Sequence, residues 1–338
     1  MSGPESAYRL RSRRRRFHRW IVAALLLLPS LARATLPSET KVYWLEAREG
    51  YIERANADGS NAERIVYDPG VGRGISIDAV NQVLSWPSTF GVLHSDLDGR
   101  GVTLTPIPQN DSTGWFVVHS VTDPSEGTVY FSTTGLDQLR RVEPDGSGLQ
   151  EVLPYFLTGP GPWSVDFDPV DRWIYYAFNA HPIQGIRRIR PDGSQEQFLT
   201  RDPDAALQEI ALDVVDRRVY WIDNYRPAFL FGEVDPRIMR SRLDGSDVET
   251  IADVDDGLIF PIGLAVDPID GHVFWSDRSR GTITRANLDG SNQVDILTGL
   301  DFPVSVAVMP LPEPGTPALL ATGALWVLWL ARRRKHRG

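Results

Sequence analysis

No cysteine occurs among the 338 residues, so a disulfide framework and any thiolate metal site are excluded whatever the compartment. Histidine is scarce too, at six, and His94, His181 and His272 fall in different parts of the chain with no visible cluster. No nucleophile elbow, phosphate-binding loop, zinc spacing or EF-hand loop is present. Long apolar runs are missing as well. Ile21–Ala32 is 12 residues and includes Pro29, and Pro317–Ala331 is 15 residues. The longer of the two would be roughly 22 Å as a helix, short of a ~30 Å hydrocarbon core unless flanking arginines snorkel or the bilayer thins.

The two ends differ from the middle. Residues 1–34 carry an arginine-rich stretch, a short apolar run and Ala32-Arg33-Ala34. That order predicts a secretory signal peptide cleaved after Ala34. Ser12-Arg13-Arg14 with Phe17 also resembles a twin-arginine export signal. Residues 312–338 run Pro312-Glu313-Pro314, an apolar segment at 317–331, then Arg332–Arg334. The basic cluster belongs on the cytoplasmic side, which places the middle of the chain outside the inner membrane. The three parts together resemble the PEP-CTERM sorting signal of Gram-negative bacteria. That resemblance implies an exosortase as partner at the tail, an inner-membrane-anchored precursor, and delivery to the cell surface or extracellular matrix. Without both ends, 35 basic residues fall to 22 and 44 acidic ones to 42, a net charge of −20. So acidic a region is repelled by nucleic acid and anionic lipid and favours cations or basic partners.

The middle repeats. Asp-Gly recurs at Asp58-Gly59, Asp98-Gly99, Asp145-Gly146, Asp192-Gly193, Asp244-Gly245 and Asp289-Gly290, spaced by 40, 47, 47, 52 and 45 residues. Strand-rich units of about 40–50 residues predict an all-β propeller, because one four-stranded sheet cannot bury its faces alone. In the clearest unit, Gly263–Val266 reads as strand A, Val273–Ser276 as B and Ile283–Leu288 as C. Strand D follows Asp289-Gly290, read as a type I′ hairpin turn. Because the chain enters at a B strand (Val42) and leaves at an A strand (Val304–Val308), these two are expected to pair. The result is one six-bladed domain over residues 41–309 with no open edge.

Strand B recurs as Val42-Tyr43-Trp44, Leu84-Ser85-Trp86, Val129-Tyr130-Phe131, Ile174-Tyr175-Tyr176, Val219-Tyr220-Trp221 and Val273-Phe274-Trp275. Its aromatics suit packing between blades. Tyr220-Trp221-Ile222-Asp223 and Phe274-Trp275-Ser276-Asp277, with Tyr43-Trp44-Leu45-Glu46 close to them, resemble the YWTD propeller of the low-density-lipoprotein-receptor family. Copies two to four lose the acidic residue, and the NHL and gluconolactonase-like propellers are related alternatives. The resemblance implies a binding scaffold rather than an enzyme.

Function on a propeller sits in loops. The Asp-Gly turns belong to one face, where aspartate is a turn former. The opposite face holds the D–A loops with Asp68, Asp111, Asp202, Asp204, Asp253, Asp255, Asp256 and Asp301 against Arg73 and Arg201. Four residues before each strand-A aspartate position stand Gly74, His119, Ser164, Glu209, Gly263 and Ser305. Small residues there leave room at the channel mouth, and His119 and Glu209 are its titratable members. Blade five carries an insertion, Asn224 to Pro236, whose Tyr225, Phe229, Leu230 and Phe231 read either as a recognition tip or as a cap folded onto the propeller. The expected binding face is therefore His119, Glu209, Tyr225, Phe229, Phe231, Asp253, Asp255 and Asp256, with an unknown protein or polysaccharide as ligand. The competing reading is a metal-dependent hydrolase of the gluconolactonase-like class. It would use Ca²⁺ on Asp253, Asp255 and Asp256 near Glu209, since that ion takes oxygen ligands; the scaffold needs no cofactor.

Overall fold

The structure is a computed structural model that describes residues 40–310, apart from 71, 108–115, 135–137, 154–160, 180–181 and 226–234. Ala32, Ala34, the Pro312–Pro314 motif, Asp111, Phe229 and Phe231 lie outside the described residues, and only the backbone of Tyr225 is described.

Every blade repeats one plan: four antiparallel strands in the order A-B-C-D. Blade two runs Ser76–Asp78, Val83–Ser88, Gly91–Asp96 and Thr103–Pro106. Blade six runs Pro261–Asp267, His272–Asp277, Thr282–Asn287 and Val294–Thr298, so strands A and B extend beyond their expected cores by a residue or more at each end. Blade one takes its A strand, Pro303–Met309, from the far end of the chain and pairs it with Lys41–Glu46. Val42 faces Val308, Tyr43 faces Ala307 and Trp44 faces Val306. The sheet is a closed ring of six blades.

The strand-B aromatics explain why the ring holds. Successive side chains on a strand point to opposite faces, so adjacent aromatics enter opposite seams. Tyr43 joins the seam with blade two alongside Leu84 and Trp86. Trp44 joins the seam with blade six alongside Phe274 and Ile283. The alternation continues round the ring: Phe131 and Tyr130 occupy the seams before and after blade three, and Trp221 and Tyr220 those before and after blade five. Each seam has its own apolar cluster, and the inter-blade role expected of these residues is the one they have.

The Asp-Gly turns differ from the type I′ expectation. In blade one, Asn56 O accepts from Gly59 N at 2.8 Å and Asn56 N donates to Ser60 O at 2.9 Å. The glycine alone of the pair has positive φ, 83° at Gly59, which makes this a type I turn closed by a glycine bulge. Asp58 accepts from Ser60 N at 2.9 Å, the turn-forming role assigned from sequence. Glycine has a second purpose here. A Cβ on Gly59 would lie 1.9 Å from Ile296 O of blade six, and one on Gly290 the same distance from Ile251 O of blade five. The glycine lets each turn press on the outer strand of the preceding blade.

Candidate functional site

Strand A is innermost in each blade, and its residues line the axis. The position picked out by counting back from the aspartates is the waist of the channel. There Glu209 of blade five reaches across the axis. Its Oε1 lies 3.1 Å from His119 Nε2 of blade three and accepts from Ser305 Oγ of blade one at 3.0 Å. Its Oε2 accepts from Leu264 N of blade six at 3.2 Å. Ser305 Oγ accepts in turn from Ile75 N of blade two, and Ser164 Oγ from Ile210 N. His119 is 8% and Glu209 6% exposed.

Small residues were expected to leave room at this level. Instead the two large side chains occupy it. A Cβ on Gly74 would lie 2.2 Å from His119 Cδ2, so only glycine fits beside that ring. The cavity on the loop side, bordered by Arg73, Trp163, Gln208 and Glu209, is about 20 Å³, room for about one water. On the turn side a cavity of about 330 Å³ opens below the same two residues. Burial pushes the Glu209 carboxyl above its ordinary value, and the hydrogen bonds from His119, Ser305 and Leu264 pull it back.

Two more carboxylates line the lower cavity, Asp78 near its opening and Asp166 inside it. Asp166 accepts from Phe167 N at 2.7 Å and from Leu212 N of the next blade at 2.9 Å. Desolvation pushes it up to about 6 against those hydrogen bonds. A carboxyl raised on folding favours the folded state fully below its unfolded value, near pH 4, and loses that contribution as pH rises through about 6. Asp166→Asn should therefore gain stability relative to the parent as pH rises from about 4 to 7. Urea unfolding across that range reads the difference, and a flat one contradicts it.

Five of the described D–A loop aspartates, Asp68, Asp202, Asp253, Asp256 and Asp301, have partners within the fold. Asp253 caps the short 3₁₀ turn Val254–Asp256 by accepting from Asp255 N, and Asp256 accepts from Asp253 N. Asp301 pairs with Arg48 at 3.0 Å. Asp68 accepts from Trp86 Nε1 at 3.1 Å, and Asp202 from Asp204 N at 3.0 Å. His119 and Glu209 are brought together, but Asp253, Asp255 and Asp256 do not join them. Among the described residues, no three His, Asp or Glu side chains are grouped so as to hold a metal ion.

Sequence reasoning missed the staple made by the acidic end of strand B. Asp277 accepts from Ile259 N and Phe260 N in the D–A loop and from Ser279 N and Arg280 N in the B–C turn. Glu46 accepts from Phe302 N, and Asp223 from Ala206 N. The YWTD acid thus fastens the loop preceding strand A to its own blade. The recurrent motif was the available signal. Also missed was Arg278, whose guanidinium covers Phe260 at 4.4 Å and Phe302 at 4.9 Å, as Arg73 covers Trp163 at 5.0 Å.

No protein-family profile matches the chain. It is similar to human low-density lipoprotein receptor-related protein 5, 29% identical over 174 residues, which cover 39% of this chain and 10% of that protein. To the human low-density lipoprotein receptor-related protein 5-like protein it is 26% identical over 172 residues, covering 51% of this chain and 63% of that one. The chain thus matches less than two thirds of either relative's length. Among solved structures, a chain of a nidogen/laminin complex superposes with a TM-score of 0.65 at 17% identity, over 80% of this chain and 98% of that one. TolB from Acinetobacter baumannii superposes with a TM-score of 0.63 at 12% identity, over 86% and 70%. These two likenesses concern the fold. The chain is a six-bladed β-propeller with YWTD-type similarity to the low-density lipoprotein receptor-related protein 5 repeats.

Proposed function

We propose that this chain is an exported interaction scaffold that engages a protein partner through the face carrying the D–A and B–C loops. The observation that carries the reading is how exposed side chains divide between the faces. Among the described residues, the exposed aromatics Tyr67, Phe90, Phe116 and Phe198 all stand at the loop-face ends of strands. The exposed apolar residues of the turn face, Val80, Val102, Val170, Val215, Val248, Ile269 and Val294, are all aliphatic. Aromatic and arginine side chains are those enriched where protein partners bind, and the loop face combines both in Arg73–Trp163 and Arg278–Phe260. Arginines cover those ring faces, which favours a protein partner over a sugar that needs an open aromatic platform. The receptor-type relatives support the same reading.

Export through residues 1–34, and exosortase recognition of Pro312-Glu313-Pro314, complete the proposal. Immobilised chain exposed to cell-envelope and exopolysaccharide extracts should retain a protein, and a Phe90→Asp, Phe116→Asp variant should lose it. Retention of polysaccharide alone, or unchanged retention by the variant, contradicts the reading. Mass spectrometry of the envelope protein should find Met1–Ala34 absent, and deletion of 312–338 should change its location.

A further inference from the structure

The turn-side cavity lies on the far side of the waist from the loop face. Two positions beyond the waist, each A strand contributes an equivalent residue: Ser76, Val121, Asp166, Ala211, Ala265 and Ala307, all lining this cavity. Five are small or aliphatic, and one is a carboxylate. The opening is rimmed by Val80, Pro124, Pro169, Pro268 and Pro310 and by Asp78, whose oxygens accept from Val80 N and Asn81 Nδ2. The floor is Glu209 with His119, whose buried Nδ1 has no hydrogen-bond partner among the described residues. At about 330 Å³ the space falls within the roughly 300–1,000 Å³ of small-molecule sites, which pair apolar walls with a few placed polar groups.

Asp166 is the unexplained group. Its two oxygens meet only the backbone N–H groups of Phe167 and Leu212, and no arginine or lysine pairs with it among the described residues. The aspartates at the turn-side ends of blade three's A strand and of Asp166's own strand are served differently. Asp123 meets Arg172 at 2.8 Å and Asp168 meets Arg217 at 2.9 Å. A carboxylate in an apolar setting without a cation is costly, and each oxygen of Asp166 keeps a lone pair for another donor.

We propose that the turn-side channel binds an organic ammonium ion with an aliphatic body, its N–H groups donating to Asp166 and its body filling the space between the aliphatic walls. The ammonium supplies the counter-charge that the chain does not. The body displaces water from Val121, Ala211, Ala265 and Ala307. A bare inorganic cation would leave the walls wet, a neutral alcohol would leave the carboxylate uncompensated, and an anion would be repelled by Asp166 and Glu209 together.

Three probes of one shape separate these terms: cyclohexylammonium, cyclohexanol and cyclohexanecarboxylate, titrated into the full chain by calorimetry. The ammonium should bind saturably with one site per chain, at least about tenfold tighter than the alcohol, a difference of about 1.4 kcal/mol. The carboxylate should bind weakest. Asp166→Asn should bring the ammonium to within about twofold of the alcohol, and comparison with it also subtracts any nonspecific uptake. Ser76→Phe narrows the channel while leaving Asp166 in place, and it should weaken both probes even if the Asn variant fails to fold. Equal binding of ammonium and alcohol, a preference that survives Asp166→Asn, binding unaffected by Ser76→Phe, or no saturable binding would each overturn the site.

Discussion

A chain ended after Phe302 is expected to lose cooperative unfolding, whereas one ended after Pro310 should melt as the parent does. The difference is the strand Pro303–Met309. It covers Val42, Tyr43, Trp44 and Leu45, all buried at 1% exposure or less, and its own Val304, Val306 and Met309 are buried as well. Three side chains of that size contribute roughly 5–9 kcal/mol by burial. That is comparable with the whole stability of about 5–15 kcal/mol expected of a domain. Its loss also opens the seam to blade six and leaves an unpaired edge. Thermal unfolding followed by circular dichroism reads the result, and a sharp transition within a few degrees of the parent in the shorter chain would contradict ring closure as the source of stability.

The second large effect is at the waist. Glu209→Ala should destabilise by about 2–4 kcal/mol, because His119 Nε2 and Leu264 N are left buried without an acceptor, and each such group costs about 1–3 kcal/mol. The penalty is offset in part because a buried carboxylate is itself costly. Glu209→Gln keeps an acceptor and should lose no more than about 1.5 kcal/mol. Urea unfolding with an unchanged slope measures both. An alanine variant within about 0.5 kcal/mol of the parent would show that the bridge across the axis contributes nothing.

What could be read from the chain, and what could not, divides by distance. Six blades, their strands and the closing pair follow from local repetition, since Asp-Gly turns and B-strand aromatics each recur within one blade. The waist positions also follow, because counting four residues back from an aspartate is a local operation. That Glu209 would cross to His119, 90 residues away, is not local; it depends on the radius of the closed ring. The turn type was misread because Asp-Gly suits both a type I′ turn and the glycine bulge after a type I turn. The contact of Gly59 with Ile296 belongs to a neighbouring blade. Aspartates of the D–A loops looked like free charge in sequence, yet Asp253 and Asp256 cap each other's backbone within four residues. Arg278 needed Phe260 and Phe302 from two different loops before it had a role.

The claim on which the rest depends is that the loop face carries partner binding. A photo-cross-linking amino acid placed singly at Phe90, Phe116 or Ile259 on the loop face, and at Val170, Val215 or Ile269 on the turn face, tests it in envelope preparations. All six positions are exposed, so each can carry the probe without disturbing the core. Illumination should yield a discrete cross-linked protein from the loop-face positions and none from the turn-face positions. The same adduct from Val170, Val215 or Ile269, with none from Phe90, Phe116 or Ile259, would contradict the account.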